Sequence, residues 1–337
     1  MDTNATRRLS RRAFLSGAGP AFALLMGSRG PVIRAAVAAA PVRIGALTNG
    51  WGPTPAMAGL RDGLMALGYR EGEQFVIGIR FTQGDLTALP SAARGLVQAG
   101  ADIIFASGSS EAQAAQAATS RIPIVFAEAT GDPVELGLVR SFAKPGGNVT
   151  GVTDLDLVLN PKRLEIFKEM IPSLRRVLFP YDPTDVNSRS GAVVYGETSR
   201  RLGIVLVERA VRTGEKARAA LARVRRGDID GIVPPNSMSL NIPGLVLEAS
   251  AQRVIPTMFS AAFWVEQGAL AGYGSDFYES GRQAARLMEK ILKGEKPASI
   301  PVETNPRIEL VINLRVASAL KIQISPIALQ RASRVIE

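Results

Sequence analysis

The sequence predicts an α/β protein of two lobes, each with a parallel sheet covered by helices. Short apolar runs alternate with stretches of helical spacing along nearly all of the 337-residue chain. The roughly ten predicted strands fall into two blocks, which fits two lobes better than one core. Residues 144–151, the strongest turn cluster in the chain, separate the blocks.

The first block begins with a strand over residues 42–47. Thr54 and Pro55 then provide an N-cap and a first-turn proline, and Gly68 ends the helix that they start. Further strands are predicted over 75–81, 102–106 and 122–127, with helices over 86–98 and 111–119 between them.

The second block repeats this alternation after Gly151. Predicted helices cover 162–170, 190–202, 215–226, 240–252 and 277–293, and two short helices follow the last strand. Predicted strands cover 176–180, 204–211, 229–233, 256–259, 269–273 and 308–313. Because helices connect successive strands, we expect parallel sheets with helices on both faces.

Composition excludes several kinds of active site. The chain has no cysteine and no histidine, which rules out disulfides, thiol nucleophiles and a Ser-His-Asp triad. Neither a phosphate-binding Gly-Lys-Ser/Thr loop nor a dinucleotide-binding glycine motif follows a strand. We therefore expect no catalytic residue, no metal and no cofactor.

Residues 1–38 are predicted to be a cleaved export signal. Arg7, Arg8, Arg11 and Arg12 precede a short apolar stretch over 13–26, and small residues at 36–38 precede the predicted cut. Residues 10–15 resemble the twin-arginine export motif, which predicts passage of the folded protein into the periplasm. The alternative is an uncleaved membrane anchor.

Net charge gives no reason to expect nucleic-acid binding. The chain carries 40 basic and 30 acidic residues, but residues 1–38 hold six arginines and one aspartate. The remainder has 34 basic and 29 acidic residues, a net charge of +5. Its basic residues are scattered, without a stripe of arginine and stacking aromatics.

Seven short runs resemble a known family. They are residues 122–127, 131–139, 145–152, 162–165, 291–297, 312–314 and 331–336. Together they resemble the ABC-transporter substrate-binding proteins of the group that includes bacterial tryptophan-type binding proteins. The resemblance covers residues 41–337, and the central block 122–152 is its most specific part.

The resemblance implies a type I periplasmic binding protein fold, with two Rossmann-like lobes joined by a hinge of three crossings. It also implies a receptor that delivers a small ligand to an ABC permease and its ATPase. The predicted lobes are residues 41–150 plus about 274–305, and residues 151–273 plus about 306–337. A monomer is expected.

The ligand residues are predicted from position, since the resemblance supplies no residue-by-residue motif. Ligands of open parallel sheets bind beyond the carboxyl ends of the strands, and two such edges can face each other across a cleft. The candidates in the loops after the strands are Asn49, Trp51, Ser107, Ser109, Ser110, Glu128, Thr130, Tyr181, Asp182, Asn187, Asn236, Ser260 and Asp276.

Several of these residues have a structural alternative. Ser109 and Ser110 open a predicted helix, where free amides and hydroxyls can bind a ligand carboxylate or form a plain N-cap. Trp51 offers the ligand a flat apolar face or packs on its own lobe. Asp276 pairs with a ligand ammonium or caps the helix that follows it. Asp132 is expected to be a cap.

The ligand stays open among an amino acid, an aromatic carboxylate, a short peptide and a nucleoside. An exported enzyme is disfavoured because the chain has no histidine, and no lysine lies near Ser109 in sequence to activate its hydroxyl. A ligand-sensing domain of a transcription regulator would carry a DNA-binding segment where the export signal stands. A periplasmic sensor that partners a membrane kinase remains the alternative function.

Overall fold

The computed structural model describes residues 40–154 and 156–337, and the predicted export signal lies outside these ranges. The strands are β1 (Val42–Thr48), β2 (Phe75–Phe81), β3 (Ile103–Ala106), β4 (Ile124–Ala129), β5 (Val149–Thr153), β6 (Arg176–Tyr181), β7 (Val205–Ala210), β8 (Gly231–Ile232), β9 (Met258–Phe259), β10 (Ala271–Ser275), β11 (Glu303–Thr304), β12 (Ile308–Asn313) and β13 (Arg334–Ile336).

The helices are α1 (Pro55–Ala66), α2 (Leu89–Gln98), α3 (Ser109–Ala118), α4 (Asp156–Met170), α5 (Val186–Arg201), α6 (Gly214–Ala222), α7 (Ile242–Arg253), α8 (Ala262–Glu266), α9 (Phe277–Leu292), α10 (Leu314–Ala319) and α11 (Pro326–Arg331). No helix in the described ranges has both the length and the apolar character needed to cross a membrane.

Six parallel strands form the large sheet, in the order β11-β5-β4-β3-β1-β2. Helices α1 and α9 pack on one face, and α2 and α3 pack on the other. Glycines let α1 and α9 come close, because a Cβ on Gly59 would clash with the carbonyl oxygen of Tyr278. The predicted α/β class is confirmed.

The other described strands form two small sheets, with orders β7-β6-β8 and β13-β12-β10-β9. A bridge between Ile232 and Thr257 links them. Strand β12 is antiparallel to β10, unlike the purely parallel sheets expected from the sequence. The reason is chain direction: β10 runs toward the large sheet, and β12 returns from it without a crossover helix.

The chain passes between the large sheet and the small sheets three times, and hydrogen bonds tie these passages together. Ser275 Oγ donates to the carbonyl oxygen of Asp154 at 2.9 Å. Asn305 donates from its backbone nitrogen to Thr153 O at 3.0 Å and from Nδ2 to Asp276 O at 2.8 Å. The three segments therefore form one bonded cluster.

Part of the predicted turn cluster 144–151 is strand. Residues 149–153 pair with β4 in the large sheet, so the first passage lies after Thr153. Gly151 is required there, because a Cβ at this position would clash with Phe126. The glycines and asparagine of this segment resemble turn residues, and the pairing with β4 overrides that local signal.

A buried ion pair fixes the start of α4. Arg163 pairs with Asp156 at 2.6 Å, and both side chains are almost fully buried. The guanidinium also donates to Tyr273 O at 2.8 Å and to Tyr195 Oη at 2.9 Å. Burial is the main cause that raises the pKa of Tyr195 to about 12. Arg163 therefore joins α4, α5 and β10.

Candidate functional site

A cavity of about 420 Å³ lies between the carboxyl edge of the large sheet and the loops of the small sheets. The loops after β1, β3 and β4 line one side. Residues 235–238, the first turns of α7 and helix α8 line the other. The sequence candidates that line it are Asn49, Trp51, Ser107, Ser109, Ser110, Glu128, Thr130, Asn187 and Asn236.

Four sequence candidates lie outside this lining: Tyr181, Asp182, Ser260 and Asp276. The two aspartates are already satisfied by the protein. Asp182 is buried, accepts the amide of Thr184 at 2.8 Å and accepts the hydroxyl of Ser239 at 2.5 Å. Asp276 caps α9 through the amide of Glu279 at 3.1 Å, which is the structural alternative weighed for it.

Tyr181 and Ser260 lie outside the cavity lining. The ring of Tyr181 stacks on Phe179 in the core of the small sheets, with centroids 5.7 Å apart. Ser260 donates from Oγ to Asn236 Oδ1 at 2.9 Å. Ser260 thus orients a lining residue. Tyr181 is the last residue of β6 and Ser260 directly follows β9, but neither residue lines the cavity.

The serines at the start of α3 have different surroundings. The Ser109 hydroxyl donates to the carbonyl oxygen of Thr130 at 2.8 Å, and the side chain is 3% exposed. It therefore ties α3 to the loop after β4. Ser110 is half-buried at the cavity, and its hydroxyl makes no hydrogen bond with the described residues. The Ser110 hydroxyl is therefore available to a ligand.

Glu111 is a lining residue that the sequence analysis missed. Its Oε1 accepts the backbone amide of Asn49 at 2.7 Å, which joins α3 to the loop after β1. Burial, the largest cause, raises the pKa of this carboxyl to about 7. Its Oε2 lies beside Gly108, where a Cβ would come within 2.7 Å of it. Its place in the first helical turn, three residues after the N-cap, was the available signal.

Glu128 stands at the end of β4, where the pairing with β5 is interrupted by a bulge. Its backbone has φ +58°, a left-handed conformation that non-glycine residues seldom adopt. Its Oε1 is buried and has no hydrogen-bond partner among the described residues. Burial, followed by the charges of Asp154 and Glu111, raises the pKa of this carboxyl well above its usual range.

Asn236 connects the two sides of the cavity. Its Nδ2 donates to Asp154 Oδ2 at 3.2 Å and to Thr130 Oγ1 at 3.4 Å. Burial is the main cause that raises the pKa of Asp154 to about 7, and the charge of Asp156 adds to the rise. Asn236 therefore bonds the loop after β4 and the first passage between the sheets.

Aromatic side chains form the apolar part of the lining. Trp51 is 44% exposed at one side of the cavity, Phe263 and Trp264 of α8 belong to the opposite wall, and Phe277 lines the cavity at the start of α9. The rings of Phe263 and Trp264 meet edge to face at 5.2 Å. These last three residues were not predicted as site residues, because α8 was not predicted and Phe277 was assigned only to a helix.

The loop after β2 also touches the small-sheet side. Gly84 has φ +81°, and its carbonyl oxygen accepts a hydrogen bond from the backbone amide of Leu240 at 3.1 Å. A Cβ at Gly84 would lie 2.8 Å from Trp51 Cη2, 3.0 Å from Met238 O and 3.1 Å from Asn241 N. The two sides therefore meet directly beside the cavity.

Two solved structures resemble this one over most of its length. A conserved domain protein from Vibrio cholerae O1 biovar El Tor is 30% identical, covers 87% of this chain and 99% of its own, and gives a TM-score of 0.78. The ABC domain in complex with L-Trp from Streptococcus pneumoniae is 27% identical, covers 88% of this chain and 100% of its own, and gives a TM-score of 0.75.

Sequence comparison agrees with the structures. The tyrosine-binding protein of Clostridioides difficile strain R20291 is 32% identical over 257 residues, which are 76% of this chain and 73% of the relative. The family model for ABC transporter substrate binding proteins matches residues 42–336. The resemblance seen in the sequence is thus confirmed, and the chain belongs to the family of ABC transporter substrate-binding proteins.

Proposed function

We propose that this protein is an extracytoplasmic receptor that captures one small ligand and delivers it to an ABC importer. The observation that carries the proposal is the cavity between the strand-end loops of the large sheet and the loops of the small sheets. Family membership supports the transport role. In this proposal the protein binds and releases its ligand without changing it.

The proposed mechanism is closure of two lobes about the bonded passages. The first lobe is the large sheet with α1, α2, α3 and α9, and the second is the small sheets with their helices. Contacts across the cavity support this, namely Asn236 Nδ2 to Thr130 Oγ1 at 3.4 Å and Leu240 N to Gly84 O at 3.1 Å. Domain closure around ligands commonly uses such hinges.

The proposed ligand is an amino acid or an aromatic carboxylate. One relative is named for binding tyrosine, and one similar structure holds L-Trp. Trp51 and Trp264 line the cavity and can pack against a planar apolar group. The hydroxyl of Ser110, at the start of α3, is placed to donate to a carboxylate.

Delivery requires export, which we assign to residues 1–38. The basic pair Arg11-Arg12 before a weak apolar stretch supports the twin-arginine route. Replacing both by lysine is expected to leave precursor in the cytoplasm. Mature protein still appearing outside would favour the route for unfolded chains. The proposed partners are an ABC permease and its ATPase, which a monomeric receptor meets at the membrane.

The binding proposal is tested by melting and scattering of the purified mature protein. The panel holds the twenty amino acids, 3-phenylpropionate, indole-3-propionate and, as a compound of another class, adenosine. A true ligand at 100 times its dissociation constant adds about 2.7 kcal/mol to the free energy of unfolding and so raises the melting temperature. It is also expected to reduce the radius of gyration. Unchanged melting and scattering with every compound would contradict the proposal.

A further inference from the structure

Glu128 has an unusual conformation for a residue at the end of a buried strand. The bulge between Phe126 and Ala129 and the φ of +58° turn its side chain out of the regular pattern of the sheet. Left-handed backbone at a non-glycine residue costs free energy and persists where the surrounding structure holds it. Here the surrounding structure directs a carboxyl group to the cavity.

The carboxyl group has an unsatisfied atom. Oε1 is shielded from solvent, yet no donor within the described residues reaches it. Buried polar groups in folded proteins are normally paired, because an unpaired one forfeits its hydrogen bonds to water. This oxygen therefore points to a donor that the protein chain itself does not supply.

The charged groups around Glu128 indicate that the missing hydrogen-bond donor is a cation. The cavity lining contains Glu111 as a second acid and, among the described residues, no lysine or arginine. Asp154, which follows β5, is the third acid that acts on Glu128. The buried cation Arg163 is held by Asp156 at 2.6 Å. The site thus gathers acidic groups, and no cation among the described residues of the lining balances them when they ionise.

We propose that Glu128 receives the protonated amine of the ligand, so that the receptor selects amino acids over carboxylates that lack the amine. This inference rests on the proposed function and decides between the two ligand classes left there. The ammonium would donate to Oε1 and supply the missing positive charge. A carboxylate without an amine would leave Oε1 unpaired and add a further negative charge beside Glu111.

Proton release is a measurable consequence of this pairing. In the free protein, burial and the charges of Asp154 and Glu111 raise the pKa of Glu128 well above its usual range and so favour its protonated form. Contact with an ammonium favours the ionised carboxylate. Binding therefore converts a carboxylic acid and a free ammonium into a carboxylate–ammonium pair and releases one proton to the solvent for each protonated site occupied. The affinity for an amine-bearing ligand should rise with pH as Glu128 ionises.

The first test compares three matched probes with the wild-type mature protein: L-tryptophan, indole-3-propionate and tryptamine. A second set replaces them by L-tyrosine, 3-(4-hydroxyphenyl)propionate and tyramine. We expect an amino acid to bind at least tenfold more tightly than its partner without the amine. Equal or tighter binding of the propionates would overturn the inference and leave the receptor role intact. No binding in either set, and no stabilisation by any other amino acid, would overturn both.

The second test uses Glu128→Gln, with Glu135→Gln as a matched control on an exposed glutamate. Glutamine keeps the size and an acceptor oxygen but cannot carry the charge. We expect Glu128→Gln to weaken amino-acid binding at least tenfold, about 1.4 kcal/mol. The control should bind like wild type. Equal affinity of wild type and Glu128→Gln, with both folded by circular dichroism, would overturn the inference.

Calorimetry at pH 7 in phosphate and in Tris separates charge pairing from a structural effect. Because the two buffers take up protons with different enthalpies, the difference in binding enthalpy measures the protons released. We expect net release with wild type and a smaller release with Glu128→Gln. Glu111 and Asp154 titrate nearby, so the difference between the two proteins isolates the share of Glu128. Identical release in both proteins would contradict the proposed ionisation.

Discussion

Gly84 offers the sharpest test of closure, because it lies where the two sides of the cavity touch. A Cβ there would come within 2.8 Å of Trp51 Cη2 and within 3.0 Å of Met238 O. Only part of this contact can relax, because Met238 contributes a backbone oxygen rather than a flexible side chain. If the lobes separate in the ligand-free protein, Gly84→Ala should disturb the closed form more than the open one.

The magnitude follows from two separate costs. Placing alanine at a positive φ costs about 1–2 kcal/mol in either form. Overpacking against the facing loop adds about 1–3 kcal/mol in the closed form alone. Only this second cost lowers affinity, by about 5- to 150-fold. Gly72→Ala is the matched control, because Gly72 has φ +83° and nothing within 4 Å of its added Cβ.

The assay measures the melting temperature without ligand and the dissociation constant with the amino acid that stabilises the wild type most. Both alanine variants should melt at a similarly lowered temperature, because both carry the backbone cost. Gly84→Ala should bind more weakly, and Gly72→Ala should bind like wild type. Equal affinity of the two variants would refute the role of this contact in closure.

Four further substitutions give separable outcomes. Ser109→Ala should lower the free energy of unfolding by about 1 kcal/mol, whereas Ser110→Ala should leave melting unchanged and weaken binding about tenfold; the reverse pattern would exchange their roles. The pKa of Glu111 is raised to about 7 in the folded protein. Glu111 therefore contributes stability below the pKa that it has in the unfolded chain, and this contribution is lost as the pH rises to 7. In chemical unfolding measured from pH 5 to 8, Glu111→Gln should remove the part of the stability loss that comes from Glu111. A pH profile of the free energy of unfolding equal to that of the wild type would contradict this assignment. Arg163→Met should destabilise by about 3–5 kcal/mol, because it leaves the carboxylate of Asp156 buried and unpaired; a loss under 1 kcal/mol would contradict that reasoning.

The order of strands and helices was predictable because periodicity is a local property of the sequence. The run around Thr54 and Pro55 contains both a cap and a proline, and α1 begins at Pro55 with Thr54 as its N-cap. The strand over 149–153 was not predictable in this way. Its glycine and polar residues depend on pairing with β4, and pairing between distant segments leaves no local signal.

The position of the candidate site was predictable from the sequence, but the hydrogen bonding of its carboxylates was not. The rule that ligands lie at strand ends led to Asn49, Ser110 and Glu128, which line one cavity. The same rule included Asp182 and Asp276, which instead satisfy amides and hydroxyls of their own loops. Which carboxylates stay unpaired depends on three-dimensional neighbours.

A crystal structure of the mature protein with the amino acid that stabilises it most would test the central claim directly. We predict one ligand in the cavity between the large and small sheets, with its amine nitrogen within about 3.2 Å of Glu128 Oε1. Its carboxylate should lie toward Ser110 at the start of α3. A ligand bound elsewhere, or one with its carboxylate against Glu128, would contradict the account.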